Sequence, residues 1–155
     1  MMRFFRFLSH GLFFVLGFGL GIYVLPILTA ADPPSTSEMQ VLESAEKLTA
    51  TFRRDLKGSD FFHWGEGEVT VTPTHIAHRG RLAPGPDYKV YLASEFVEDK
   101  EAFLAIKDKA VRIGDVKGFS GFLVPVPGSV DVKQYTTVVV WCETFKAFIS
   151  AAKYR

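Results

Sequence analysis

The chain has 155 residues, 48% of them hydrophobic and 23% charged, and a formal net charge of +1. That length holds one domain with an ordinary core. Arg3 and Arg6 belong to an apolar N-terminal segment, and without them the remainder carries a net charge of about −1 by simple inventory. No basic surface is implied, which argues against nucleic acid as a partner.

The opening MMRFFRFLSHGLFFVLGFGLGIYVLPILTAADPPSTS sets two arginines before a nearly uncharged apolar run from Phe7 to Leu28. A run of about 20 residues crosses a ~30 Å hydrocarbon layer at 1.5 Å per residue. The segment 1–31 therefore reads as a membrane anchor or an export signal. Thr29 and Ala31 are small residues at the spacing a signal peptidase requires, whereas the apolar run is longer than a usual signal core, which favours a retained anchor. Arg3 and Arg6 before the run put the N-terminus in the cytoplasm and the rest outside, a single-pass arrangement of bacterial type. Gly11, Gly17, Gly19 and Gly21 offer a helix-packing face, or simply the glycine content common in membrane helices. Outside the cytoplasm conditions are oxidising, and the lone cysteine, Cys142, has no disulfide partner in its own chain.

Residues 32–57 read as a linker and a connector helix. ADPPSTS ends the first helix and stands off the membrane. Ser37 and Gln40 resemble a capping box, and Val41, Ala45, Leu48, Phe52 and Leu56 recur at helical spacing, which predicts an amphipathic helix from Glu38 to Leu56.

Residues 58–155 read as a β domain. GEVTVTP, THIAHRGRL and YKVYLAS are strand-like, with APGPD a tight loop before the third. EFVEDKEAFLAIKDK is a short helix or an acidic loop. AVRIGDVKG, GFLVPVPG, YTTVVVWC and KAFISAA are further strand-length segments, and Pro125 and Pro127 confine the second of these to an edge or a loop. Short strands at regular spacing predict a mainly β fold, an antiparallel sandwich or barrel.

Four patterns bear on chemistry. Trp141 and Cys142 are strand neighbours and must face opposite sides of a sheet. Cys142 is either a small buried hydrophobe, a functional thiol whose pKa a cation such as Lys146 lowers, or the link of a covalent dimer. His63, His75 and His78 are the histidines outside the anchor. His75 and His78 are three apart and cannot both grip one metal on a regular strand, so solvated surface histidines are expected and no metal site. Pro84, Gly85, Pro86 and Asp87 preset a rigid turn, with Asp87 able to accept bonds from turn amides. Nucleophile elbow, phosphate loop, HExxH and paired catalytic carboxylates are all missing from the sequence, so a hydrolase is not supported.

The order GSDFFHWGEGEVTV, APGPDYKVYLAS, VRIGDVKG and VDVKQYTTVVVWCETFKAFISAAKY resembles the DM13 domain over Gly58 to Tyr154. The matching positions are Gly85, Pro86, Asp87, Val90 and Tyr91; then Ile113, Gly114, Val116, Lys117 and Gly118; and in the tail Tyr135, Val138, Val140, Trp141, Cys142, Phe145, Phe148 and Ala151. His63 and Gly67 are similar to the family's HxxxG. GFLVPVP replaces the usual QxYxIP, and Ile149 stands where a glycine is usual.

The resemblance implies a β-sandwich with an electron-transfer role, in which Cys142 is a redox thiol or a ligand to a prosthetic group such as haem, with His63 a second cofactor-binding candidate. The expectation is a membrane-tethered domain serving an unidentified redox or envelope partner. The alternative is a non-enzymatic binding module with a buried structural cysteine.

Overall fold

A computed structural model describes residues 2–43 and 46–155. Helix α1 (Met2–Leu28) contains a 26-residue apolar stretch, Arg3–Leu28, with mean hydropathy 2.2 and none of its apolar window buried. The stretch is long and apolar enough to cross a membrane. Thr29 closes its last turn by donating from both N and Oγ1 to the Leu25 carbonyl. The segment that follows does not stand off. Ala31 N donates to the Lys117 carbonyl at 2.8 Å, so the linker lies along the β domain.

The connector helix is much shorter than its hydrophobic spacing predicts. α2 (Thr36–Met39) runs on as a tighter turn over Gln40–Leu42. Its capping box is Ser35 with Glu38 rather than Ser37 with Gln40: Ser35 N donates to Glu38 Oε2 at 2.7 Å, and Glu38 N donates to Ser35 Oγ at 3.3 Å. Ala45 lies outside the described residues. Leu48–Phe52 is a strand, β1, not helix.

Among the described residues, eight strands form two antiparallel sheets. The first has the order β1-β2-β3-β6, with β2 (Gly65–Val71), β3 (His75–Leu82) and β6 (Phe122–Pro125). The second has the order β5-β4-β7-β8, with β4 (Tyr88–Ala93), β5 (Val111–Val116), β7 (Thr137–Cys142) and β8 (Ala147–Lys153). The sandwich is open rather than a closed barrel. β6 is an edge strand, as its prolines require.

Alternation along the strands builds three apolar layers. Between the sheets lie Val69, Val71, Ile76, Val90, Leu92, Val138, Val140 and Ile149. On the outer face of the second sheet, Tyr91, Val139 and Trp141 meet Phe103 of α3 (Lys100–Ile106), which Asp99 caps by accepting from Ala102 N at 2.8 Å. The acidic stretch is thus a helix. On the outer face of the first sheet, Met39 and Leu42 cover Ala77. β4 and β7 are buried along their whole length because both faces are covered, which is why they read as continuous apolar runs.

Candidate functional site

Cys142 ends β7, an interior strand, and its side chain joins the layer between the sheets while Trp141 faces α3. Strand alternation therefore separates the two as expected, and both are buried. Cys142 is 2% exposed, and its Sγ donates to the Pro86 carbonyl at 2.9 Å. Burial is the largest influence and pushes the thiol pKa up; bonds from the Phe145 and Thr144 amides oppose it, and the nearby Asp87 and Glu143 carboxylates add to the rise. The net direction is opposite to the activation expected from Lys146, and the sulfur is held as a protonated thiol.

Two turns frame the sulfur. In the turn before β4, Gly85 leaves room for Tyr88: a Cβ there would come 2.4 Å from the Tyr88 hydroxyl, which folds back over it. Asp87 adopts a left-handed backbone with φ 58°, which aspartate tolerates better than most residues. Its carboxylate binds side chains rather than turn amides, accepting from Lys89 at 2.6 Å and from Thr144 at 3.0 Å. Its carbonyl accepts from Glu143 N at 3.2 Å, tying the first turn to the one after β7. The lysine and threonine bonds hold the Asp87 carboxyl below the usual range. Tyr88 pairs with Cys142 in the ladder, and burial pushes its phenol pKa well up, so the hydroxyl stays neutral.

The sulfur lies against a cavity of about 250 Å³ lined by Tyr88, His63, Phe62, Phe145 and Ile149, with Gly19, Ile22 and Tyr23 of α1 closing one side. His63 and Cys142 are brought to one cavity from segments far apart in sequence. The His63 ring is anchored by Asp60, with Nδ1 2.8 Å from Oδ2, while its backbone N donates to Oδ1 at 2.8 Å. Haem does not fit this cavity. The space is below the ~300–1,000 Å³ of sites for drug-sized ligands, and no lysine or arginine is among the described residues that line it to hold propionates.

The other histidines separate. His75 is half-buried, with Nδ1 3.1 Å from the Thr74 hydroxyl. His78 is fully buried, which corrects the expectation of a solvated histidine. Its ring packs between Phe52 and Phe122, with centroids 5.1 and 5.2 Å away, and its Nε2 is 2.9 Å from the Glu66 carbonyl. Desolvation lowers its pKa, so it is a neutral core residue. Sharing a strand face with Ile76 was the sequence signal for this burial.

The arrangement holds a protonated thiol, a neutral phenol and an anchored imidazole around an apolar space. A family model described as "Electron transfer DM13" matches residues 55–154. No curated protein and no solved structure matches the chain.

Proposed function

Because the chain belongs to the DM13 family of electron-transfer domains, we propose that it is a membrane-tethered, extracytoplasmic electron-transfer domain in which Cys142 is the redox group. The supporting observation is that Cys142 and His63 line one cavity. The thiol gives one electron to a one-electron acceptor of the cell envelope and, with the S–H turned away from the Pro86 carbonyl, gives its proton to the His63 ring across the cavity; both return on reduction. Electron and proton leave together because burial disfavours a free thiolate. α1 is the retained anchor, with Arg3 and Arg6 on the cytoplasmic side.

Cys142→Ser is the test, since serine keeps a donor for the Pro86 carbonyl. Protein-film voltammetry of the full chain in nanodiscs is expected to show a proton-coupled signal that this variant lacks. An identical trace for the two proteins overturns the assignment. The 2% exposure of Cys142 and its bond to Pro86 favour a second reading, a non-enzymatic envelope-interaction module with a structural cysteine. That reading expects no signal from either protein.

A further inference from the structure

One wall of the Cys142 cavity does not come from the β domain. Gly19, Ile22 and Tyr23 belong to α1, and the Tyr23 ring meets Phe62 edge-on with centroids 6.2 Å apart. Tyr23 lies little more than one turn before the helix end at Leu28. In a spanning helix that depth is the boundary between headgroups and hydrocarbon, where aromatic rings concentrate. Beside it stand Phe61, Phe62 and Phe145, exposed to 83%, 56% and 52%. Aromatic side chains left open on that scale, next to an apolar helix long enough to span a bilayer, are suited to lipid rather than water.

We propose that this cavity binds a molecule of the alkylated quinone class, drawn laterally from the bilayer. The lining selects the chemistry by what it offers. No lysine, arginine, aspartate or glutamate is among the described residues lining the cavity, and its one histidine, His63, is already paired with the Asp60 carboxylate, so a fatty acid or phospholipid headgroup would enter without a free counter-charge. A space of about 250 Å³ takes a single substituted ring and the start of its tail, with the rest of the tail left in lipid. The polar groups on the wall suit carbonyl oxygens: the neutral Tyr88 hydroxyl is a donor, and the Cys142 S–H is already spent on Pro86. This deepens the electron-transfer reading, on which its physiological meaning rests, but binding requires no chemistry at the thiol.

The experiment uses the full chain in nanodiscs and a decyl-tailed benzoquinone, read by quenching of Trp64, which lines the adjoining hollow with Tyr23 and Phe62. Gly19→Leu plugs the mouth from the helix side; a Cβ there meets nothing within 4 Å, so the side chain starts into open space. Gly11→Leu, on the same helix and away from the cavity, is the control. Quenching is expected to saturate, with half-saturation raised about tenfold or more by Gly19→Leu, roughly 1.4 kcal/mol, and unchanged by Gly11→Leu. Decanoate should not compete. Unsaturable quenching, equal affinity in the Gly19→Leu protein, or displacement by decanoate overturns the proposal. Voltammetry of Cys142→Ser reads the thiol and titration of Gly19→Leu reads the cavity, so failure of the electron-transfer reading and failure of quinone binding are distinguishable.

Discussion

The His78 imidazole reaches the Glu66 carbonyl because Gly67 and Gly80 face each other across β2 and β3. A Cβ on Gly80 would lie 2.0 Å from that carbonyl and 2.8 Å from Nε2, and Gly67 has φ +115°, a backbone conformation that L side chains rarely adopt. The two glycines therefore make the space for a polar ring in an apolar layer. This has a consequence for pH. Burial lowers the His78 pKa below its ordinary value, so the folded state prefers the neutral ring and the unfolded state binds the proton more readily. The contribution is fully present above about pH 6.5, the unfolded value, and is lost as pH falls through the folded one. Chemical denaturation of the full chain in micelles should show stability falling from pH 7.5 to pH 5, and His78→Gln, which keeps a donor for Glu66 but does not titrate, should flatten that slope. Equal slopes for the two proteins would rule His78 out as the source.

At the scale of elements, the strands were legible and the connector was not, for one reason. Leu48 and Phe52 are four residues apart, a spacing that satisfies a helix and equally two full alternations of a strand. The alternating Leu48, Ala50 and Phe52, separated by Thr49 and Thr51, already carried the β signature, and β-branched threonine favours it. The supposed single stripe in fact splits: Val41 is exposed, Phe52 goes between the sheets and Leu56 lies under α3. Likewise the turn and tail residues around Cys142 were legible from sequence, whereas the α1 wall of its cavity was not, because sequence shows no contact between distant segments. α3 matters because it covers Trp141: the Phe103 and Trp141 centroids are 5.1 Å apart, and Phe103 is completely buried. Phe103→Ala should cost about 3–5 kcal/mol, the usual range for a buried phenylalanine. Denaturant titration checks the figure. A loss below about 1 kcal/mol, the scale of a surface change, would mean that α3 is not a structural lid.

At the scale of the whole molecule, two contacts fix the β domain against its helix. The bond from Ala31 N to the Lys117 carbonyl straps the linker to the end of β5, and the Tyr23–Phe62 contact brings the loop before β2 onto the last turns of α1. With α1 spanning the bilayer as proposed and both contacts in place, the domain would have no slack to stand clear of the lipid, and Trp64, capped by the Arg54 guanidinium at 3.3 Å from its ring, would be carried to the membrane boundary. An arginine paired with Glu66 at 2.7 Å above an indole suits the headgroup zone, where one side of a residue is wet and the other apolar. Trp64 fluorescence, isolated in a Trp141→Phe background, should accordingly be quenched by lipids brominated high on the acyl chain. Bromines near the chain end should quench it less. If neither lipid quenches, the linker releases the domain into water, and the cavity mouth beside Phe62 opens to solvent instead of to lipid.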